Sequence, residues 1–198
     1  MPWEKNFDLD EATDKAISVF WKKGYEATSM SDLIDGMGIN KGSLYNAFGS
    51  KKALFDRALL RYDQKNRLRA LAQLSQMPDG REAIVTLFDG LVAETQEDTE
   101  NRGCMLVNTA LELPLHGEDI REMVTSALGE FEEFFRQSII KGQSLGTIPK
   151  ALDPSLTAKS LLTSVIGMRV LARGTFDVDG IRAIRDAAVV MITNPEVS

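Results

Sequence analysis

The stretch from Thr28 to Leu54 holds the residues whose types and spacing suggest a specific chemistry; it reads TSMSDLIDGMGINKGSLYNAFGSKKAL. Between residues 40 and 52 it carries three lysines and no acid, so its local charge is positive. Lysine and tyrosine side chains donate hydrogen bonds to phosphate, whereas asparagine pairs with adenine and lysine reaches guanine. These residue types predict contacts with the phosphate backbone and the base edges of a nucleic acid.

Two short helices separated by a glycine turn are predicted around these side chains. Ser29, followed three residues later by Asp32, indicates a helix start, and Gly38 ends that helix after about two turns. Asn40 caps a second short helix that runs through Phe48. Such a helix-turn-helix places its second helix in a DNA major groove.

The second helix presents different side chains on its two faces. Leu44 and Phe48 lie four residues apart, so both face inward. Gly42 leaves room for close backbone approach. Ser50 then caps a long helix that starts at Lys51, and the free amides at both helix starts favour phosphate. The side chains expected to face outward from the second helix are Lys41, Ser43 and Asn46.

Charge is distributed unevenly along the 198 residues, whose net charge is −6. Residues 1–61 hold nine Lys/Arg and nine Asp/Glu, so residues 62–198, with fourteen against twenty, carry the whole excess. A nucleic-acid contact in the neutral first third is therefore compatible with an acidic protein. The single cysteine, Cys104, excludes an intrachain disulfide. Since neither a signal peptide nor a membrane span is recognised, a cytoplasmic location is expected.

Helical periodicity continues along the chain, and no segment alternates convincingly with a period of two residues. We predict an all-α protein with an N-terminal three-helix DNA-binding domain, residues 1–50, that contains the helix-turn-helix. Residues 51–198 form a larger C-terminal helical ligand-sensing and dimerisation domain, and the helix from residue 51 bridges the two. Further helices are expected at residues 8–24, 81–98, 103–113, 118–141, 154–174 and 179–193, with a loop at 142–154.

The helix-turn-helix stretch closely resembles the TetR family of bacterial transcriptional regulators, and the resemblance is strongest over residues 8–62. Ala47 stands where the family usually has histidine, and Asn40 where serine or threonine is commoner. The residues that match the family pattern are Gly38, Ile39, Asn40, Lys41, Gly42, Ser43, Leu44, Tyr45, Phe48, Lys51 and Leu54.

The resemblance implies roles for individual residues on a DNA operator. Gly42 would permit the close approach. Tyr45 could instead pack with its ring buried and its hydroxyl wet, which is compatible with a phosphate bond. The residues implied to hold the DNA backbone are Ser29, Tyr45 and Lys51. Those implied to lie nearest the base edges are Lys41, Ser43 and Asn46.

A ligand pocket between the C-terminal helices is a further implication of the resemblance. Asn108, a polar residue within an otherwise apolar helix, is the candidate specificity group. Aromatic and methionine side chains in this region equally fit a hydrophobic core. The candidate pocket residues are Cys104, Met105, Asn108, Phe131, Phe135 and Met168.

Cys104 and His116 each have two interpretations. Cys104 fits a small buried hydrophobe or, beside Arg102 at a helix start, a thiol that senses oxidants or electrophiles. His116 lies in a turn without other ligands at metal-binding spacing, so a loop residue is favoured over a metal ligand. We expect no metal and no cofactor.

The last two helices are apolar on several faces, which predicts a homodimer formed as a four-helix bundle, with a wholly internal core as the alternative. A dimer also suits a palindromic operator, because two reading helices must lie about one DNA turn, ~34 Å, apart. The candidate interface residues are Leu161, Val165, Met168, Ile184, Ala187 and Met191.

Taken together, these features favour a DNA-binding regulator over an enzyme. The principal hypothesis is a repressor that a small-molecule, redox or electrophile effector releases from its operator; an activator with the same DNA-binding mode stays open. A small helical enzyme or carrier is the remote alternative, since no nucleophile with a base, paired acid motif or phosphate loop is found. The expected partners are double-stranded DNA, an unidentified effector and a second copy of the chain, without a membrane.

Overall fold

The computed structural model describes residues 8–193, and these residues form ten α-helices and no strand. The all-α prediction is therefore confirmed. Within the same residues, no helix has the length and apolarity needed to cross a membrane. The helices are α1 Leu9–Lys23, α2 Met30–Met37, α3 Lys41–Phe48, α4 Lys51–Asp63, α5 Arg69–Ser75, α6 Gly80–Glu97, α7 Met105–Leu111, α8 Glu118–Leu145, α9 Pro154–Leu171 and α10 Val178–Met191.

The caps that delimit α2 and α3 form as predicted. Ser29 and Asp32 make a complete capping box, in which the Ser29 hydroxyl accepts from the Asp32 N–H at 3.1 Å. Gly38 ends α2 with a φ of 67°, a left-handed conformation that glycine adopts without strain. The Asn40 amide oxygen accepts the N–H of Ser43 at 2.8 Å and starts α3. These local bonds fix the angle between the two helices.

A first hydrophobic core holds α1 to α4 together. From α3, Leu44 is fully buried and Phe48 is 8% exposed, so its inward face is as predicted. Gly36 brings α2 close to α1, because a Cβ at this position would lie 2.3 Å from Val19 Cγ2. The close packing supports α3 from behind and leaves its other side free.

A π-helical turn, Gln64–Leu68, interrupts the long helix that was expected to start at Lys51. Next to this turn, Asp63 and Arg67 form a buried ion pair at 2.6 Å, and Arg67 also reaches Glu130 on α8 at 3.1 Å. A π turn is wider than an α turn and offsets the apolar stripe of the helix. The stripe of α4 thus faces the first core, while α5 faces a second one.

The second core lies among α5, α6, α8, α9 and α10. Helix α8 contributes to both cores: Ile120 and Val124 belong to the first, and Phe135 and Ile139 to the second. Helix α7 also packs on the first core, through Met105 and Leu106 among others. Helices α1 to α4 are therefore joined to the helices of the second core by continuous packing.

Three of the six expected dimer-interface residues lie inside the chain. Leu161, Val165 and Met168 are 0%, 2% and 1% exposed, because this face of α9 packs into the second core. Ile184 and Met191 are half-buried, and Ala187 is exposed on α10. The helical periodicity of the sequence identifies the apolar face of α9, but it does not show whether that face packs inside the chain or against a second copy.

Candidate nucleic-acid interface and ligand cavity

Helix α3 presents a polar, hydrogen-bonding face to solvent. Lys41 and Asn46 are exposed, and Tyr45 is 42% exposed, so its ring is not buried in the core. The opposite face is anchored through Leu44 and Phe48. This arrangement displays amine, phenol and amide groups on a rigid support, as direct contact with a DNA groove requires.

The start of α3 is shaped by its cap. Ser43 is half-buried, and its N–H is already bonded to the Asn40 side chain. Gly42 is exposed, and a Cβ there would lie 3.4 Å from Asn40 Oδ1. The absence of a side chain at Gly42 therefore leaves the backbone accessible at the start of α3 and leaves the Asn40 cap undisturbed.

Ser29 lies at the start of α2 and is committed to its cap. Its hydroxyl donates to the Asp32 carboxylate at 2.8 Å, and Lys23 contacts the same carboxylate at 2.5 Å. Lys23, followed by the N–H and hydroxyl of Ser29, lowers the pKa of Asp32 to about 2. A phosphate contact from the Ser29 hydroxyl would require it to release Asp32.

Lys51 begins α4 beside the polar face of α3. Its ammonium lies 4.5 Å from the centre of the Tyr25 ring and 3.4 Å from the Glu26 carbonyl oxygen. These contacts hold the charge close to the N-terminus of α4. Lys52 instead pairs with carboxylates on α4 and α8 at 2.8 and 3.0 Å, and so serves packing between helices.

A cavity of 420 Å³ lies between α4, the π-helical turn and helices α5 to α9. Of the predicted pocket residues, Cys104 and Phe131 line it. The structure places Met105 in the first core, and Phe135 and Met168 in the second. These three side chains have the apolar character of a pocket but fill space between helices instead.

Asn108 faces a separate cleft between α1 and α7 and does not line the 420 Å³ cavity. Its amide nitrogen donates to the Arg102 carbonyl oxygen at 2.9 Å, and within residues 8–193 its buried amide oxygen has no partner. The guanidinium of Arg102 lies over the Trp21 ring, 4.5 Å from the ring centre. Asn108 therefore holds the loop before α7 and does not reach the cavity.

The polar part of this cavity includes three residues that the sequence did not predict for it, beside the predicted Cys104: Tyr62, Glu94 and Arg169. Arg169 on α9 pairs with Glu94 on α6 at 2.5 Å, and Tyr62 on α4 lies beside Cys104. Burial lowers the pKa of Arg169, but Cys104 and Glu94 raise it by more, so the guanidinium stays charged. Burial, and then Cys104, raises the pKa of Tyr62, whose hydroxyl stays protonated. Tyr62, Glu94 and Arg169 lie on three different helices, so no spacing signal in the sequence links them to Cys104.

His116 is a buried residue that packs against the first core. It is 8% exposed, and its ring stacks on Phe55 with 5.3 Å between ring centres and 7° between planes. Burial is the largest influence and lowers the pKa of His116, which favours the neutral ring. In the described part of the chain, no three His, Cys, Asp or Glu side chains are grouped as metal ligands.

Comparison with known families matches both parts of the chain. Residues 12–58 match the model described as bacterial regulatory proteins, tetR family. Residues 80–188, which are more than half of the chain, match the model described as tetracyclin repressor-like, C-terminal domain. The first match includes all of α2 and α3 and reaches into α4.

Individual relatives extend the likeness over most of the chain. The HTH-type transcriptional repressor ComR of Escherichia coli (strain K12) is 33% identical over 171 residues, which are 85% of this chain and 81% of that protein. The HTH-type transcriptional repressor DhaR of Mycobacterium sp. (strain GP1) is 26% identical over 153 residues, 76% of this chain and 75% of that protein.

Solved structures share the fold. The TetR family regulator CifR, carrying two cysteine substitutions and complexed with 26-bp operator DNA, matches with a TM-score of 0.81 and 31% identity. The match covers 94% of this chain and 98% of that one. A TetR family regulator from Agrobacterium tumefaciens has a TM-score of 0.84 at 20% identity and covers 93% of this chain and 96% of its own, which is a likeness of fold.

Proposed function

Since this chain belongs to the TetR family of bacterial transcriptional regulators, we propose that it is a repressor that binds a palindromic operator as a homodimer. Family membership makes it a DNA-binding transcriptional regulator. Beyond this, we propose that the protein represses transcription, that it acts as a two-fold dimer and that an effector binds in the cavity. Its proposed site of action is the cytoplasm. Relatives named as repressors support the sign.

The exposed polar face of α3 is the observation that carries the proposal. Lys41 and Asn46 project from a helix whose other side is locked in the core, so they meet the groove without reorganising the fold. Tyr45 and Lys51 flank this face and supply a phenol and an ammonium to phosphates. Ser43 and Gly42 complete the surface at the start of α3.

The route from the cavity to α3 runs through α4. The wall of the cavity includes Tyr62 of α4 and the π-helical turn that follows it, and α4 packs on both α1 and α3. A ligand that fits only one position of α4 shifts the population toward that position. The spacing of the two α3 helices in a dimer changes with it, and the operator is released.

The dimer interface is proposed on the outer side of α9 and α10, in place of the face that the second core occupies. Ala183, Ala187 and Val190 lie on the exposed side of α10, with Val190 45% exposed. Thr163 is exposed on α9. Small and branched residues on these helices allow two copies to approach closely as a four-helix bundle.

Fluorescence anisotropy with DNA from the promoter region beside the protein's own gene tests the reading face. Tyr45→Ala and Lys51→Ala should each weaken binding about tenfold, because each removes a contact to phosphate. Lys51→Ala should also reduce the slope of affinity against salt by about one unit. Lys150→Ala, an exposed lysine in the loop before α9, is the matched control and should change neither.

Unchanged affinity in both Tyr45→Ala and Lys51→Ala would refute the assignment of the reading face. A promoter fusion then decides the sign of control. Deletion of the gene should raise expression from the bound promoter; a fall in expression would instead make the protein an activator.

A further inference from the structure

The cavity combines an apolar body with an excess of positive charge. Leucine, valine and phenylalanine side chains from α6 to α9 form the apolar part of its wall. Four basic residues line it against two acidic ones, an excess of +2 in a chain whose net charge is −6. The charged lining residues are Lys65, Arg67, Arg69, Arg169, Asp63 and Glu94.

Arg169 is a largely buried cation of the wall whose ion-pair partner among the described residues is an exposed carboxylate. Arg67 is held by the buried Asp63 as well as by Glu130, Lys65 pairs with Asp14 on α1 at 2.7 Å, and Arg69 is exposed to solvent. Arg169 pairs with Glu94, whose side chain is 58% exposed, while its own side chain is 20% exposed. An exposed carboxylate recovers its hydration when displaced, so this ion pair exchanges partners at low cost.

Hydrogen-bond donors converge around Arg169. A guanidinium has five N–H donors, and the contact with Glu94 uses the Nη1 nitrogen of Arg169. Tyr62 is 7% exposed, and its protonated hydroxyl lies on the same wall, next to the Cys104 thiol. A planar anion with two oxygens matches this set, because guanidinium and carboxylate form paired, charge-assisted hydrogen bonds.

From this arrangement we infer that the effector is a small apolar molecule bearing one carboxylate, which binds Arg169 and Tyr62 in place of Glu94. This inference rests on the proposed function, since it names the effector class of the same cavity. The apolar part of the ligand fills the body of the cavity against the α6 and α8 side chains. Burial of this part supplies most of the affinity, and Arg169 supplies the selectivity for an acid.

Because the ligand must displace Glu94 from Arg169, removal of the Glu94 charge should strengthen ligand binding. Glu94→Gln removes the competing carboxylate from Arg169, so the variant should bind carboxylate ligands severalfold more tightly than the wild type. Glu97→Gln is the matched control, because it deletes the same charge from the exposed side of α6 outside the cavity wall. A purely structural role for the ion pair would instead weaken binding in Glu94→Gln.

The test uses the purified full chain without DNA and measures binding by isothermal titration calorimetry. The probes are octanoate with octanamide, and phenylacetate with phenylacetamide, two pairs that differ in the charge of the head group. The affinity for each acid should be at least about tenfold higher than for its amide, because the amide cannot form the hydrogen-bonded ion pair with Arg169. Equal affinities within the pairs, or no binding of any probe, would overturn the inference.

Variants at the head-group site complete the test. Arg169→Met should abolish the preference for acids, with circular dichroism confirming that the variant is folded. Tyr62→Phe removes a single hydroxyl and should reduce the preference for acids by a smaller factor; a preference for acids that survives in both variants refutes the site.

DNA binding is measured separately on the same preparations. Failure of acid binding with intact operator binding refutes the effector class alone, whereas failure of operator binding refutes the proposed function.

Discussion

The carboxyl group of Asp14 shows how one side chain ties the reading helices to the rest of the chain. Asp14 on α1 accepts two hydrogen bonds from Arg61 on α4, at 2.7 and 2.9 Å, and a third from Lys65 in the π-helical turn at 2.7 Å. Arg61 first, and then Lys65, lowers the pKa of Asp14 to about 2. The end of α4 and the π-helical turn, which border the cavity, are therefore bonded to α1, which packs against α2.

Asp14→Asn should make the stability of the protein less sensitive to acid. Because the folded-state pKa is depressed, the contribution of Asp14 is complete above about pH 4 and is lost as pH falls toward about 2. At pH 6 the variant should lose about 1 kcal/mol, a modest value because solvent screens a pair this exposed. Urea unfolding followed by circular dichroism between pH 2 and 6 measures the difference from wild type.

The control for this experiment is Asp35→Asn, which changes an exposed acid that makes no ion pair with any described residue. Its stability should follow the wild type across the same range. A deficit in Asp14→Asn that stays constant from pH 6 to pH 2 would contradict the role given to the ionised carboxylate.

At the scale of elements, the approach of α6 to α8 fixes the shape of the cavity. Gly80 at the start of α6 lies so close to α8 that a Cβ there would be 1.8 Å from the Ser138 carbonyl oxygen. This neighbour is backbone and cannot move aside as a side chain can. The two helices also frame the cavity, whose wall includes Leu87 and Leu91 of α6.

Gly80→Ala should destabilise the protein by about 3 kcal/mol, since overpacking against backbone forces the helices apart. Gly129→Ala makes the same substitution on an open, exposed face of α8 and should stabilise by up to about 1 kcal/mol through helix propensity. Thermal unfolding of the two variants compares them directly. Similar melting temperatures for both would show that the α6 contact is not tight in solution.

The elements that sequence predicted well are those with local determinants. Asn40 is an example: its cap differs from the serine or threonine common in the family, yet asparagine caps equally well, and α3 starts where expected. The end of α8 was placed at Lys141, but the helix continues to Leu145 because Gly142 packs against Ile148 instead of ending it.

The features that sequence did not predict depend on distant partners. Cys104 was paired with its neighbour Arg102, but the guanidinium beside the thiol belongs to Arg169, which no local pattern links to it. His116 does lie in the predicted loop before α8, but its burial against Phe55 was not predicted, because Phe55 lies on another helix. Candidate reading residues were accessible to pattern analysis, whereas the polar part of the cavity required the packed chain.

At the scale of the whole molecule, the proposed dimer makes DNA binding depend on the distance between two α3 helices. Two copies joined through α9 and α10 hold their α3 helices at a distance that a palindrome must match. The cavity of each copy lies between this interface region and α4, since its wall includes both α9 and α4 residues. An effector bound in this cavity would therefore lie where it can change the distance between the two α3 helices of the proposed dimer.

Ala187→Glu should dissociate the dimer, because it buries a charge at the centre of the proposed interface without a partner. Size-exclusion chromatography with light scattering should then report a monomer, and operator affinity should fall at least tenfold. Leu145→Glu, at a 57% exposed position at the end of α8, is the control and should remain dimeric. A dimeric Ala187→Glu would move the interface to another surface.

Binding of Asn46→Ala to a panel of single-base operator variants tests directly whether α3 reads base pairs. Asn46→Ala should lose about 1–3 kcal/mol of discrimination at one position in each half-site and keep the wild-type preferences elsewhere. An Asn46→Ala variant that discriminates at every position as the wild type does would show that this side chain of α3 does not read a base.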